Sequence, residues 1–387
     1  MKSLIVGSME KGRSKPLKIL QIIETLNIGG AENFTKQLCN ELCGSNQVMV
    51  ITTRASNKEN SFISDLNPKI FLKELNWAKK YSIKQLFQLN TEIKKYDPDL
   101  IHVHLHNSFY YVFVLSFFSN KSIIHTIHSN INVWKKVLDW VNKLRPLNNK
   151  IMHVCVSLSI ATMLKERYPK LRSQNINNGI EKYRVKRTDE EINKFWDEIC
   201  IPQKKEACIK LLAIGNVSEH KNYELLAASL NKLEKNYPKV RCGLIGRNDS
   251  KTLMEKINVL RSDNLKICGA YLNGADFLSS ADALIISSLQ EGMPIVALEA
   301  LSMKKPIIST PAGGMCDIIK KGYNGFLSRD FKTDSLVNSI TDFITVSADS
   351  RKIMEENCQR DFLDNYNIST IASQYLNLYK NELGKEK

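Results

Sequence analysis

The sequence has 387 residues, of which 43% are hydrophobic and 25% are charged, and its formal net charge is +15. A domain usually takes about 100–200 residues, so this length predicts two domains, and the composition excludes a disordered or collagen-like chain. The longest apolar stretch, 101–118, contains three histidines and an asparagine and makes a poor membrane span. Nine cysteines without a CxxC pair predict a reducing, cytoplasmic environment.

Almost all of the excess positive charge lies in the first half of the chain. Residues 1–190 contain 29 lysines and arginines against 15 acidic residues, whereas residues 191–387 contain 26 against 25. This asymmetry predicts an acidic partner for the first half, such as a phosphate-bearing substrate or anionic lipid headgroups. Nucleic acid carries the right charge, but no motif supports it and we do not expect it to bind. A lysine-rich solvated surface is the plainer alternative, and it explains the number of lysines better than their distribution.

Short β-branched apolar runs alternate with helical patterns along the whole chain, which is typical of parallel α/β folding. Five strands are predicted in the first half, at Lys18–Ile23, Gln47–Thr52, Asp99–Val103, Ser122–Thr126 and Met152–Val156. Five more are predicted in the second half, at Ile209–Ile214, Val240–Ile245, Leu265–Cys268, Ala283–Ser287 and Pro306–Ser309. Helical periodicity between them is clearest at Glu224–Glu234, Thr252–Leu260, Ile295–Ser302 and Ser335–Thr345.

These patterns predict two doubly wound α/β domains, over residues 1–185 and 208–365. The charged stretch 186–207 interrupts the alternation and predicts the connection between them, with a local helix. In parallel sheets, ligands bind on the loops that follow the carboxyl ends of the strands. We therefore expect the active site in a cleft between the two domains.

The first such loop carries Gly29 and Gly30, directly before a helical pattern. Two adjacent glycines at this position allow the backbone to approach a ligand closely and leave helix N–H groups for an anion. The loop is not a GxGxxG sequence and lacks the acidic partner about 20 residues later, so a nicotinamide cofactor is not indicated. A tight turn without a ligand is the alternative.

The most specific segment runs from residue 287 to residue 299. A strand ends there, and Pro294 stands where the first helical position is expected, which suits its missing N–H. The N–H groups of Met293, Ile295 and Val296 would then form a pocket for a phosphate. Glu299 follows in a helix that is otherwise apolar, where a carboxylate must be paired or buried at a cost. A ribose diol would satisfy both of its oxygens, and a structural ion pair is the alternative.

A second polar loop, 214–222, joins a strand to a helix and contains Lys221. A cation near a helix N-terminus opposes the helix dipole. An anion bound beside Lys221 would remove this conflict.

Together these residues resemble glycosyltransferase family four, over about residues 18–327. The resemblance rests on Gly-Gly-Ala-Glu at 29–32, on Glu291 and Glu299 with Gly292 and Pro294 between them, and on Lys221 in a Gly-x5-Lys loop. It implies the GT-B fold, in which two Rossmann-like domains face each other across a cleft and a C-terminal helix crosses back to the first domain. The amphipathic tail, within 366–384, suits that helix.

The family pattern also implies roles for individual residues. It places Glu299 on the nucleotide ribose and Lys221 on the diphosphate of a nucleotide-diphosphate sugar. Glu291 would hold the donor sugar and the β-phosphate together with the backbone of Gly292, Met293, Pro294, Ile295 and Val296.

On the acceptor domain, Gly29 and Gly30 would line the cleft, and His128 matches the histidine that contacts the donor sugar. The catalytic residues implied are thus His128, Lys221 and Glu291. Members of the family retain the anomeric configuration and need no metal or other cofactor, so none is expected here.

One departure from the family pattern concerns charge at the diphosphate. The family loop reads Gly-Arg before the lysine, and here the arginine position is Asn216. An asparagine amide compensates phosphate charge less well than a bidentate guanidinium. Arg247, which follows another strand, is a candidate substitute in the donor site.

The remaining histidines could suggest a metal. His102 and His104 alternate along one predicted strand and His106 follows it. We interpret this as a strand end at the cleft and expect no metal site.

Two basic amphipathic stretches in the first half, 77–95 and 132–150, combine aromatic residues with lysines. That combination is what an interfacial membrane contact requires, although a helix packed on its domain with a solvated face looks the same. The family resemblance favours the membrane, because many members act on lipid-linked acceptors.

The sequence thus predicts a cytoplasmic glycosyltransferase, peripheral at the inner face of the plasma membrane. It would move a hexose from a nucleotide-diphosphate sugar, such as a UDP-sugar, to a hydroxyl of a lipid-linked glycan in bacterial polysaccharide, lipopolysaccharide or capsule synthesis. Asn216 leaves open a catalytically weak GT-B protein that serves as a binding partner of another transferase. A sugar-nucleotide epimerase of the same fold is a third possibility.

Overall fold

Two parallel β-sheets, one in each half of the chain, form the framework of the protein. The computed structural model describes residues 15–384 apart from 58, 79–81, 130, 133, 145–149, 201–207 and 249. Within this part of the chain every pairing inside the two sheets is parallel. The predicted pair of doubly wound α/β units is confirmed.

The N-terminal sheet has seven strands in the order β3-β2-β1-β4-β5-β6-β7. Its central strands are buried on both faces, as expected of a parallel sheet covered by helices. The strands are β1 (Lys18–Ile23), β2 (Gln47–Thr52), β3 (Phe71–Glu74), β4 (Leu100–His104), β5 (Ser122–Ile127), β6 (Ile151–Cys155) and β7 (Ser173–Asn175).

The C-terminal sheet has six strands in the order β10-β9-β8-β11-β12-β13. Its strand order again changes direction at the centre, between β8 and β11, and such a switch point is where parallel sheets bind ligands. The strands are β8 (Ile209–Ile214), β9 (Val240–Ile245), β10 (Leu265–Gly269), β11 (Ala283–Ile286), β12 (Ile307–Ser309) and β13 (Gly325–Leu327).

Helices connect the strands and cover both faces of each sheet. In the N-terminal half they are α1 (Gly30–Leu42), α2 (Ile83–Tyr96), α3 (His106–Leu115), α4 (Lys135–Leu144) and α5 (Leu158–Arg167). In the rest of the chain they are α6 (Asp189–Ile199), α7 (Tyr223–Glu234), α8 (Lys251–Leu260), α9 (Ile295–Ser302), α10 (Met315–Ile318), α11 (Thr333–Ile344), α12 (Ala348–Asn365) and α13 (Ile368–Gly384).

The sequence patterns missed three strands, namely β3, β7 and β13. Each has only three or four residues and is an edge strand of its sheet. An edge strand pairs on one side only and needs no continuous apolar run, so periodicity gives no signal for it.

The expected local helix between the domains is α6. A capping box at its start explains its position, because the Thr188 side chain accepts from the Glu191 amide while the Glu191 carboxylate accepts from the Thr188 amide. Residues 201–207 of the predicted connection lie outside the described residues. The two basic stretches form α2 and α4, and parts of each, at 79–81, 133 and 145–149, also lie outside them.

The C-terminal helix α13 packs on the N-terminal sheet. Its entry is fixed at Ile180, whose N–H donates to the Tyr366 carbonyl at 2.9 Å and whose carbonyl accepts from the Ile368 N–H at 2.9 Å. Tyr375 and Tyr379 are fully buried in a core that contains β1 and α1 residues. The chain therefore returns to its first domain after completing the second sheet.

Two of the cysteines are paired in the structure. Cys200 and Cys208 form a disulfide across eight residues of sequence, after the end of α6 and before the start of β8. Counting cysteines in the sequence does not reveal which of them pair. No helix among the described residues is both long and apolar enough to cross a membrane.

Candidate active site

The loop between β11 and α9 has backbone N–H groups that could donate to an anion. Pro294 is the N-cap of α9 with extended backbone (φ −70°, ψ 129°), and its carbonyl accepts from the Ala297 N–H at 3.0 Å. The expectation that Pro294 is the first helical residue is therefore wrong by one position, because its carbonyl closes the first turn from outside the helix. The N–H groups of Met293, Ile295 and Val296 donate to no residue that the structure describes. This geometry provides unused donors at the positive end of a helix.

Glu291 and Lys221 meet at this loop. Lys221 Nζ donates to Glu291 Oε1 at 2.7 Å, and Ser288 Oγ donates to the same carboxylate oxygen at 2.6 Å. Two further bonds join the loops that carry them, from Ser287 Oγ to the Lys221 carbonyl and from the Leu289 N–H to the His220 carbonyl, both 2.8 Å. Lys221, predicted to bind the diphosphate, and Glu291, predicted to bind the donor sugar, are thus adjacent. The ion pair holds the Lys221 ammonium at the loop where a phosphate would bind.

Gly292 brings the two domains into backbone contact. A Cβ at Gly292 would lie 2.3 Å from the carbonyl oxygen of His128, and one at Gly314 would lie 1.6 Å from the Gly292 carbonyl oxygen. No side chain fits at either position. The donor loop therefore lies directly against the end of β5, where His128 begins the next loop.

Glu299 lies on α9 without a hydrogen-bond partner for its carboxylate among the described residues. Burial raises the pKa of Glu299 to about 7, the Asp276 carboxylate adds to this, and the ammonium of Lys36 on α1 opposes it. The Lys36 pKa is itself lowered, chiefly by burial. A half-buried carboxylate without a partner fits the predicted ribose contact, because two vicinal hydroxyls would satisfy it.

A cleft cavity of about 570 Å³ lies between the domains, at the carboxyl ends of β8 and β9. Asn216 and Arg247 both line it, and Asn216 Oδ1 accepts from the Arg247 backbone N–H at 3.1 Å. The predicted substitute arginine is thus next to the position of the missing one. The N-terminal domain contributes Asn27, Ile28, Asn57 and Asn60 to the same walls.

Gly29 and Gly30 face this region from the other domain. A Cβ at Gly30 would lie 3.7 Å from Ile295 Cγ1, so the beginnings of α1 and α9 are close across the cleft. The Glu32 carboxylate folds back onto Gly29, and burial raises the pKa of Glu32.

His128 begins a buried polar network that extends to helix α13. His128 Nε2 lies 3.0 Å from His104 Nδ1, and His104 Nε2 lies 2.8 Å from Gln21 Oε1. Tyr379 Oη lies 3.5 Å from Gln21 Nε2 and 2.7 Å from His102 Nδ1. Burial lowers the pKa of His128 to about 3, so its ring is neutral at physiological pH.

Sequence reasoning missed several residues of this site. The charge of Lys36, on the other domain, acts on Glu299, and Asn178 Nδ2 donates to the Met293 carbonyl at 3.0 Å. Gln21 and Tyr379 are 358 residues apart in sequence, so only tertiary structure relates them.

Metal ligation has no candidate in the described part of the chain. No group of three or more His, Cys, Asp or Glu side chains there is placed to hold a metal ion. The buried histidines are instead hydrogen-bonded to one another and to neutral side chains.

Models of known families match both halves of the chain. Residues 28–184 match "Glycosyltransferase Family 4", and residues 195–361 match "Glycosyl transferases group 1". The two matches meet near α6, between the sheets.

Individual proteins are similar at lower identity. The chain is 24% identical over 241 residues, or 58% of its length, to an uncharacterized glycosyltransferase (MJ1607) of Methanocaldococcus jannaschii. It is 30% identical over 105 residues, or 27% of its length, to the UDP-Gal:alpha-D-GlcNAc-diphosphoundecaprenol alpha-1,3-galactosyltransferase of Escherichia coli. These alignments span 60% and 26% of the two relatives, so the chain matches less than two thirds of either.

Among solved structures, Anabaena HepE in complex with UDP superimposes with a TM-score of 0.78 at 17% identity, covering 94% of this chain and all of that one. At this identity the likeness shows the fold, which is GT-B. The predicted fold class is therefore confirmed.

Proposed function

We propose a reaction for this chain from the premise that it belongs to the glycosyltransferases, with an N-terminal family 4 domain and a C-terminal group 1 domain. It transfers a hexose from a UDP-sugar to a hydroxyl of a lipid-linked glycan, with retention of anomeric configuration. The transfer is a step in the synthesis of a bacterial surface polysaccharide. The protein acts at the cytoplasmic face of the membrane.

One observation carries the donor assignment. The unused N–H groups of Met293, Ile295 and Val296 lie beside the Lys221–Glu291 pair, one turn before the unpartnered carboxylate of Glu299. Along the chain, Glu291, the three amides and Glu299 follow the order sugar, diphosphate and ribose in which the donor itself is built, and Lys221 stands at the diphosphate, which supports the assignment. HepE, which shares the fold, was crystallised in complexes with UDP and with UDP-glucose, and this supports uracil as the base of the donor nucleotide.

The chemistry follows from orientation and charge stabilisation. The acceptor hydroxyl attacks the anomeric carbon on the face from which the UDP diphosphate leaves, and a phosphate oxygen of the leaving group takes the hydroxyl proton. Lys221, the α9 amides and Arg247 stabilise the developing negative charge. His128, neutral at working pH, orients the sugar as a hydrogen-bonding group and transfers no proton.

The lipid-linked acceptor rests on similarity and on surface chemistry. The Escherichia coli relative is named for a diphosphoundecaprenol acceptor. On the N-terminal domain, Phe87 of α2 is 69% exposed and Trp140 of α4 is 56% exposed, on helices that carry lysines. Exposed aromatic residues with lysines favour an anionic bilayer surface.

A vesicle assay tests this surface. We expect Phe87→Glu and Trp140→Glu to reduce co-sedimentation with vesicles containing anionic phosphatidylglycerol. Val259→Glu is the matched control, because Val259 is 83% exposed on α8 of the other domain. Equal binding by all variants would rule out this membrane surface.

Asn216 favours a second candidate function, a catalytically weak GT-B protein that binds another transferase. The two functions separate in one experiment, in which the purified protein is screened by thermal shift against UDP, GDP, ADP and their hexose derivatives. A ligand at a hundred times its Kd stabilises a protein by about 2.7 kcal/mol. We expect UDP and UDP-sugars to raise the unfolding temperature. We also expect UDP to be released from the UDP-sugar when a lipid-linked acceptor is added. No response to any nucleotide would favour the binding partner and contradict the transferase.

A further inference from the structure

A second cavity lies in the N-terminal domain alone, apart from the donor cleft. It encloses about 300 Å³, and its walls include Glu24, Arg54, Trp77, Asn107 and Tyr111. These residues follow β1, β2, β3 and β4, which are neighbours in the sheet order. We call this cavity the Glu24 pocket. It opens at the carboxyl edge of the sheet, the same edge at which His128 follows β5.

The charges of the described side chains that line the Glu24 pocket cancel. Arg54 Nη1 pairs with Glu24 Oε1 at 2.5 Å, and Asn107 Nδ2 donates to Glu24 Oε2 at 2.7 Å. Both side chains of the ion pair remain partly accessible, at 33% for Arg54 and 19% for Glu24. An anionic ligand at Arg54 would lie beside the Glu24 carboxylate and be repelled by it. A neutral ligand with several hydroxyls could add hydrogen bonds to both groups without breaking the pair.

The aromatic residues supply an apolar wall. Trp77 and Tyr111 pack with ring centroids 4.5 Å apart. Trp77 Nε1 donates to Gln88 of α2 at 2.8 Å, and the Tyr111 hydroxyl donates to Gln85 of the same helix. Because both polar ends are directed at α2, the rings offer mainly carbon to the cavity. A wall of this kind fits the C–H face of a sugar ring.

The backbone at Leu105 supports a functional reason for this arrangement. Leu105 has φ 63° and ψ 157°, a conformation that only glycine adopts readily, at the step from β4 to α3. The turn places Asn107 two residues later within hydrogen-bond distance of Glu24. An unfavourable conformation beside a pocket is expected where the geometry serves binding.

We propose that the Glu24 pocket binds one neutral sugar ring of the acceptor. A volume of about 300 Å³ is at the lower end of the range for small-molecule sites and suits one ring rather than an oligosaccharide. Glu24 and Arg54 bond to the ring hydroxyls while Trp77 and Tyr111 contact its apolar face. This inference rests on the proposed function, because the ring is that of the second substrate of the transfer.

The test measures sugar binding and UDP binding separately. Saturation-transfer NMR with methyl N-acetyl-α-glucosaminide, methyl α-glucoside and methyl α-galactoside reports on the pocket, and calorimetry with UDP reports on the donor cleft. We expect Glu24→Gln and Asn107→Ala to weaken the binding of at least one glycoside about tenfold and to leave the Kd for UDP unchanged. Glu41→Gln, on the exposed side of α1, is the matched control and should change neither.

Two additional arms identify the source and the charge of the ligand. The first arm uses a short-chain polyprenyl diphosphate that carries the sugar of the tightest-binding glycoside. If the ring belongs to a lipid-linked acceptor, the Glu24→Gln variant should lose affinity for this lipid as it does for the free glycoside. If it does not, the variant should lose affinity for the free glycoside only. Either result supports the pocket.

The pocket proposal is overturned if no glycoside binds the wild type, if both variants bind glycosides as the wild type does, or if inorganic phosphate competes for the site. If the wild type does not bind UDP, the proposed function is overturned instead, since calorimetry with UDP measures binding in the donor cleft and not in the Glu24 pocket.

Discussion

His128 Nε2 lies 3.0 Å from His104 Nδ1, and this contact determines which nitrogen of His128 carries the proton. Gln21 Oε1, an amide oxygen that can only accept, lies 2.8 Å from His104 Nε2, so His104 carries its proton there. His104 Nδ1 then accepts, and His128 donates from Nε2. The remaining nitrogen, His128 Nδ1, is buried without a partner among the described residues and can accept from a sugar hydroxyl.

Replacing Gln21 by methionine tests this arrangement. The variant leaves the His104 Nε2–H without an acceptor, which costs about 1–3 kcal/mol of unfolding free energy, and removes the bias on the His128 tautomer. We expect kcat to fall about tenfold while the Kd for UDP is unchanged, since a tenfold rate loss is about 1.4 kcal/mol. Nitrogen-15 NMR of labelled histidine should show His128 moving from one tautomer to a mixture. An unchanged tautomer with lowered kcat would contradict the explanation.

Glu299 should make nucleotide binding depend on pH. Its pKa is about 7 in the free protein because burial disfavours the carboxylate, and the carboxylate is the form that accepts both ribose hydroxyls. UDP affinity is therefore expected to rise between pH 6 and pH 8. The Glu299→Gln variant should bind UDP more weakly at pH 8 and show no such rise. Calorimetry at several pH values measures both effects, and an equal pH dependence in the variant would exclude Glu299 as its source.

The same residue should affect stability in the opposite direction. A carboxyl group whose folded pKa is raised above its unfolded value of 4.5 contributes stability below pH 4.5 and loses it as the pH rises toward 7, because the unfolded chain ionises first. Without nucleotide, Glu299→Gln should thus be more stable than the wild type at pH 8 by about 1–3 kcal/mol, and equal to it near pH 4. Urea unfolding at the two pH values measures the difference.

Arg247 is expected to replace the family arginine that is missing at Asn216. The Arg247→Ala variant should lose about tenfold or more in UDP affinity, since charge-assisted bonds contribute about 1.5–3 kcal/mol. Adding Asn216→Arg should restore it, because both positions line one cavity. Calorimetry with UDP on the single and double variants measures this. Wild-type affinity in Arg247→Ala alone would show that the diphosphate relies on Lys221 and the α9 amides.

Gly292 should not tolerate a side chain. A methyl group there would lie 2.3 Å from the His128 carbonyl oxygen, which belongs to the backbone of the other domain and cannot rotate away. Gly292→Ala is expected to cost about 1–3 kcal/mol of stability and to lower UDP affinity by displacing the α9 amides. Gly384→Ala is the control, since no atom of the described residues lies within 4 Å of a Cβ at that position. Thermal unfolding with and without UDP compares the two, and normal behaviour of Gly292→Ala would mean that the domains separate readily there.

The amino-acid sequence by itself determined the class of fold and the donor loops. Apolar β-branched runs mark the long central strands, such as β1, β2, β8 and β9, whose bounds were predicted to the residue, because strands buried on both faces require continuous apolar sequence. Glu291, Glu299 and Lys221 stand out because local sequence alone places polar groups at a helix start or in an apolar helix.

Only the tertiary structure decided which distant residues act together. Tyr379 bonds to Gln21 and His102, and Asn107 donates to Glu24, in each case from another strand, helix or domain. The short edge strands and the Cys200–Cys208 disulfide belong to the same category. The physical reason is common to all: hydrogen bonds and ion pairs form wherever folding brings groups within about 3 Å, and periodicity along the chain carries no record of such pairings.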